Sequence, residues 1–194
     1  MKKLGLLAFV VSLAVSPAVA SFTVATFANP SVGSSDPLFY VDWSANTVNG
    51  GWADGKGNLT LEFTSAATVF SNVWFVMTPV PVNQLLPLVY GTTGAGVINF
   101  YKAGSTTDPL LVISFNSGEV SNGSFSSSDA TFSGSEVTGS LSEEQFSFAF
   151  AAKKAINGGF SATAAFDASA VPEPATMAIF GLGTALMLGL RKKA

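Results

Sequence analysis

In the central part of the chain, hydrophobic residues alternate one by one with small or polar residues. Residues 59–63, 146–150 and 160–166 carry an apolar side chain at every second position. Because consecutive side chains of a β-strand point to opposite faces, this period of two predicts strands with one buried face. Further strands are expected at residues 22–27, 39–43, 69–78, 96–101, 110–115, 124–126 and 130–133.

Turn-forming residues separate these expected strands. Asparagine or aspartate followed by glycine occurs at residues 49–51, 54–55, 122–123 and 157–159, and such pairs favour tight hairpin turns. Only residues 142–145 tolerate a helix. Many short strands divided by turns indicate an all-β fold, and we expect a single antiparallel β-sandwich of jelly-roll-like type.

The first 20 residues have the pattern of a secretory signal peptide. Two lysines precede an apolar run over residues 4–15, and Ala18 and Ala20 provide the small side chains that a signal peptidase accepts. The alternative is an uncleaved anchor, but 12 apolar residues are short for a membrane span. We therefore expect signal peptidase to cleave after Ala20 and to leave Ser21 as the mature N-terminus.

A second apolar run lies near the C-terminus, at residues 175–190. Its 16 residues carry no charge and would form a helix about 24 Å long, against a hydrocarbon core of about 30 Å. Arg191, Lys192 and Lys193 follow it directly, and basic residues after an apolar run mark the cytoplasmic side of a membrane. The pattern predicts a single transmembrane helix with the preceding domain outside.

Val171, Pro172, Glu173 and Pro174 form a short strip just before this run. Proline fixes its own φ and restricts the residue before it, so the strip should be extended. Proteases and transpeptidases bind their substrates as extended chains. We expect residues 169–174 to be a flexible tether between the domain and the helix.

These three parts, in this order, resemble the PEP-CTERM sorting signal of exported bacterial proteins. The resemblance covers residues 171–194, and an ordinary C-terminal anchor is its alternative. It implies recognition and cleavage near the strip by an exosortase, a membrane-embedded cysteine transpeptidase. It also implies transient anchoring in the inner membrane, followed by release to the surface or the extracellular polysaccharide and biofilm matrix of a Gram-negative-type bacterium.

Removal of both ends leaves residues 21–170, a length that suits one domain. Four lysines against 11 acidic residues give this part a net charge of −7, which makes nucleic acid an unsuitable partner. The whole chain has no cysteine and no histidine. Disulfides, thiol chemistry, histidine-dependent triads and the common zinc sites are therefore excluded.

The central part offers few groups for chemistry. Residues 54–58 place carboxylate and amide oxygens on a glycine-rich turn, as calcium would require, although a plain turn is the favoured interpretation. Glu143 and Glu144 are adjacent and would face opposite sides of a strand. Aromatic residues that could stack on sugars are Trp43, Trp52, Trp74, Tyr40, Tyr90 and Tyr101, and most are expected in the core, with Trp52 the best exposed candidate.

We therefore expect a structural or adhesive surface protein that has no enzyme activity and needs no cofactor. Two alternatives stay open. One is a carbohydrate-binding module for exopolysaccharide, with or without calcium, and the other is a secreted hydrolase whose carboxylate pair meets only in the fold.

Overall fold

The computed structural model describes residues 21–28, 37–51, 59–64 and 66–172, and these contain 13 strands and no helix. The strands are β1 (Phe22–Phe27), β2 (Phe39–Asp42), β3 (Thr47–Gly51), β4 (Leu59–Phe63), β5 (Thr68–Leu86), β6 (Tyr90–Thr93), β7 (Gly96–Tyr101), β8 (Leu111–Phe115), β9 (Gly118–Ser121), β10 (Ser124–Ser127), β11 (Ala130–Ser133), β12 (Leu141–Ile156) and β13 (Gly159–Pro172). In this part of the chain no helix is long and apolar enough to cross a membrane. The predicted signal peptide and transmembrane helix lie outside the described residues.

Every pair of neighbouring strands is antiparallel, and the pairings join all 13 strands into one sheet. Its order is β11-β8-β7-β5-β3-β2-β13-β12-β10-β9-β6. Strand β6 also pairs with β5, so the strands from β5 to β6 in this order form a closed series, with β7, β8 and β11 outside it. Strands β1 and β4 pair with each other and connect β13 to β5. The all-β prediction is confirmed. The jelly-roll-like sandwich stays a prediction, because the pairings do not separate two sheets.

Strand β5 is much longer than the sequence predicted. The prediction ended at Thr78, and the residues that follow include Pro79 and Pro81, each of which lacks the backbone N–H that a strand ladder uses. In the structure, one segment of β5 pairs with β7 and ends at Met77, and another pairs with β6 and starts at Val82. The two prolines lie between these segments. The two prolines therefore face no partner in β7 or β6, and on the other edge β3 pairs with Val80 and Pro81, so the strand continues.

Three strands were not predicted, and one predicted turn was wrong. Strands β6 and β9 are short, and β3 includes the residues 49–51 that the sequence assigned to a turn. A Cβ atom added to Gly50 would lie 2.7 Å from Cε1 of Phe39. Glycine is needed here because β3 passes close to the core, not because the chain turns. Residues 142–145, the one stretch where the sequence allowed a helix, belong to β12.

Phenylalanine side chains fill the core, as the alternating pattern predicted. Phe148 is fully buried, and its ring lies 4.8–6.3 Å, centroid to centroid, from six other phenylalanine rings. These six are Phe27, Phe39, Phe75, Phe125, Phe146 and Phe166. Aromatic pairs at such distances stabilise a core beyond the area they bury, and this cluster ties β1, β2, β5, β10, β12 and β13 together.

Candidate functional site

The first half of the proline-rich strip is part of the sheet. Strand β13 ends at Pro172, and its last two residues pair with the start of β12, Val171 with Ser142 and Pro172 with Leu141. The hydroxyl of Ser142 donates a hydrogen bond to the carbonyl oxygen of Val171 over 3.2 Å. The expected flexible tether at residues 169–174 is therefore wrong as far as Pro172, because strand pairing holds this segment.

The other edge of β13 pairs with β1. Phe22 lies opposite Ala170, and Thr23 lies opposite Ser169. Ser21, the predicted mature N-terminus, directly precedes β1. The predicted cleavage point and the proline-rich strip thus join the domain at the same end of the β1–β13 pair. The remaining sorting and cleavage residues, Ala18, Ala20, Glu173, Pro174, Arg191, Lys192 and Lys193, lie outside the described part of the chain.

A bulge in β12 lies beside this end of β13. The register shifts between Ser142 and Gln145, and Glu143 has a φ of 50°. The carboxylate of the next residue, Glu144, accepts a hydrogen bond from the backbone N–H of Phe132 in β11. Burial raises the pKa of Glu144, and the Phe132 N–H partly opposes this rise. Glu144 therefore anchors β11 to β12.

A polar cleft of about 540 Å³ opens on the outer face of β6, β9, β10, β12 and β13. Five of its lining residues form one continuous row of cross-strand partners, the polar row. Thr92 pairs with Glu119, Glu119 with Ser126, Ser126 with Ser147, and Ser147 with Asp167. Adjacent strands are about 4.8 Å apart, so this polar row is about 19 Å long. Every member is at least partly exposed.

Acidic groups stand at two places in the polar row, and no lysine or arginine lines the cleft among the described residues. Asp167 ends the row on β13, while Glu119 lies on β9. Partial burial raises the pKa of the Tyr90 phenol, as do a hydrogen bond and the charge of Glu119. Beside the row, Gln145 donates to the hydroxyl of Ser169 over 3.1 Å.

Of the aromatic candidates, Trp43 and Trp74 belong to the core, as expected, whereas Tyr90 and Tyr101 are half-buried. Trp43 is 3% exposed and Trp74 is 5% exposed. The indole N–H of Trp74 donates to the carbonyl of Lys102, and its ring stacks on Tyr101. Tyr40 is exposed. Trp52, the best predicted sugar-stacking candidate, lies outside the described residues.

The described part of the chain contains no cluster of acidic side chains suited to calcium. No three acidic residues come together there in a group that could hold a metal ion. The candidate turn at residues 54–58 lies outside it. Asp42 instead accepts a hydrogen bond from the N–H of Ala45, which is the ordinary role of aspartate in a turn.

An all-β domain whose last strand runs into a proline-rich strip, an apolar run and a basic end has the organisation of an exported protein sorted through its C-terminus. A family model described as the PEP-CTERM protein-sorting motif matches residues 170–193. This confirms the resemblance and is consistent with an exosortase substrate. The match begins at Ala170, inside β13. Neither curated proteins nor solved structures give a match to the chain.

The sequence did not predict the polar cleft. Its row takes one residue from each of five strands between positions 92 and 167, and only the register brings them together. The one available signal was the polar half of each alternating strand, which marks outward positions without saying which of them are neighbours.

Proposed function

We propose that this protein is a non-enzymatic structural or adhesive component of the cell surface or the extracellular matrix of a Gram-negative-type bacterium. Signal peptidase removes residues 1–20, and the C-terminal helix holds the exported domain at the inner membrane. An exosortase then cleaves near residues 171–174 and releases it. The PEP-CTERM match at residues 170–193, which continues directly from β13, carries this proposal.

The position of the two ends supports a transient stay at the membrane. Phe22 and Ala170 are cross-strand partners, so both hydrophobic segments join the domain at the same end of the β1–β13 pair.

The surface of the domain supports a role in a hydrated polymer matrix. Only 11% of all residues in the chain are charged, against about 25% in an average soluble domain. Serine and threonine hydroxyls occupy many outward strand positions, and each can donate and accept hydrogen bonds. Such a surface can form many weak hydrogen bonds with the hydroxyl groups of a polysaccharide.

The alternative of a secreted hydrolase has less support. Glu119 and Asp167 are the carboxylates of the polar cleft, and three strand spacings separate their positions, about 14 Å. The two carboxyl groups of a glycosidase lie about 5–10 Å apart. The alternative of a carbohydrate-binding module is favoured by the polar cleft itself.

Gene deletion followed by fractionation of a biofilm tests the proposal. We expect the mature protein in the matrix fraction of the wild type, and a matrix of lower cohesion in the deletion strain that re-expression restores. The chain length of the matrix polysaccharide should stay the same. Longer polymer in the deletion strain would indicate a hydrolase, and unchanged cohesion would contradict a structural role.

A further inference from the structure

We propose that the polar cleft binds a neutral glycan chain that lies across strands β6, β9, β10, β12 and β13. This inference rests on the proposed function, because it names the matrix component that the domain would contact. It derives from the chemistry of the polar row, whose members are Thr92, Glu119, Ser126, Ser147 and Asp167.

The polar row offers hydrogen-bonding groups that are free to bind a ligand. Within the described part of the chain, the side chains of Ser126, Ser147 and Asp167 form no hydrogen bond or ion pair. A serine hydroxyl donates one hydrogen bond and accepts others, as a sugar hydroxyl does, and an ionised carboxylate accepts from several hydroxyls. The row therefore complements the hydroxyl edge of a sugar chain.

The row is also preorganised and long enough for several sugar rings. Its members sit on paired strands about 4.8 Å apart, a spacing comparable to the length of one hexose unit. Strand pairing fixes the backbone before any ligand arrives, so binding costs little ordering of the protein. The cleft volume of about 540 Å³ falls in the usual range for ligand sites.

The charge of the cleft selects against acidic polymers. Glu119 and Asp167 face the ligand space, and no described lysine or arginine lines it to compensate them. A uronate or phosphate chain would be repelled, and its charges would lack partners on the protein. A neutral glycan is not repelled and brings no charges that would lack partners.

Affinity electrophoresis of the mature protein, purified after processing in cells, tests the proposal. The probes are soluble neutral glucan, mannan and galactan, with alginate as the acidic polymer. We expect at least one neutral polymer to retard the protein and alginate to leave its mobility unchanged. Retardation by alginate alone, or by none of the four, would overturn the proposal.

Paired variants locate the contact. The double variant Ser126→Ala/Ser147→Ala should weaken binding of the neutral polymer by roughly tenfold, through two lost hydrogen bonds. The matched control Ser114→Ala/Ser133→Ala removes two exposed hydroxyls from β8 and β11 and should bind as the wild type does. Equal affinity of both double variants would place binding elsewhere and overturn the proposal.

The same variants separate this inference from the proposed function. If the cleft variant binds glycan as the wild type does but the protein still accumulates in the matrix, the cleft inference fails and the matrix role stands. If the wild-type protein is absent from the matrix although it binds a neutral glycan in solution, the matrix role fails instead.

Discussion

The hydroxyl of Ser142 donates a hydrogen bond to the carbonyl oxygen of Val171, with 3.2 Å between the two oxygen atoms. The two residues are also cross-strand partners, at the start of β12 and the end of β13. Val171 opens the proline-rich strip and lies within the matched sorting motif. The folded domain therefore holds the beginning of its own sorting signal, and an enzyme that binds an extended chain must first separate it from β12.

Weakening the start of β12 should speed processing. In Ser142→Pro the hydroxyl contact to Val171 and the backbone donor at position 142 are both lost. We expect faster conversion of the precursor in a pulse-chase experiment, because the strip separates more easily from the sheet.

Ser140→Pro is the control for this effect, because Ser140 precedes β12 and belongs to no strand. It should be processed at the wild-type rate. Equal rates for Ser142→Pro and the wild type would mean that pairing of Val171 does not limit access.

The phenylalanine cluster should depend strongly on Phe148, whose ring contacts six others. We expect Phe148→Ala to lower the free energy of unfolding by about 3–5 kcal/mol, through lost burial and the cavity left behind. Phe70→Ala is a matched control, since Phe70 is only partly buried and, among the described residues, has one ring neighbour, Phe63. It should cost clearly less in urea unfolding, and equal costs would contradict the central position of Phe148.

Thr93 carries a buried hydroxyl that has no hydrogen-bond partner in the described structure. Thr93→Val removes this polar group at nearly constant shape, so we expect it to raise the free energy of unfolding by about 1 kcal/mol. Thr26→Val is the opposite case, because Thr26 donates to the carbonyl of Phe166 over 2.8 Å. It should lower stability by about 1 kcal/mol. Loss of stability in both variants would refute the assignment for Thr93.

Glu144 should make stability depend on pH. Burial raises its pKa above the usual value of 4.5, against the smaller opposing effect of the Phe132 N–H. The folded state then binds the proton more tightly than the unfolded state does. The contribution of Glu144 to the free energy of unfolding is thus fully present below pH 4.5 and is lost as the pH rises through the pKa of the folded state.

Glu144→Gln keeps an acceptor for the Phe132 N–H but cannot ionise. We expect the variant to gain stability over the wild type as the pH rises through this window, measured by urea unfolding at a series of pH values. Glu143→Gln changes the neighbouring exposed carboxylate and should follow the wild-type curve. A constant difference between Glu144→Gln and the wild type at every pH would contradict the assignment.

The strands that could be predicted from the sequence were those in which large apolar residues stand between small or polar ones. Strands β1, β7 and β11 have the predicted bounds. Strands β3, β6 and β9 were missed because Gly50, Gly91 and Gly118 give them the composition of turns. Each of these glycines lies where an added Cβ would come within 3.0 Å of neighbouring atoms, and such close approach is a property of the packed fold.

The two candidate sites differ in the same way. The sorting signal is a linear motif, so residues 171–193 indicate it without any knowledge of the fold. The polar row depends on the register of five strands, and a shift of one residue in any of them would turn a member toward the core. Nothing local in the sequence around Ser126 or Asp167 specifies that register.

Processing of the variant in which Pro172, Glu173 and Pro174 are all alanine tests the sorting role most directly. We expect this variant to be exported and to lose its signal peptide, and then to stay in the membrane uncleaved at its C-terminus. A matched control replaces the loop residues Thr107, Asp108 and Pro109 by alanine, which removes one acid and one proline elsewhere, and it should be released normally. Release of the first variant at the wild-type rate would contradict a sorting function for the strip.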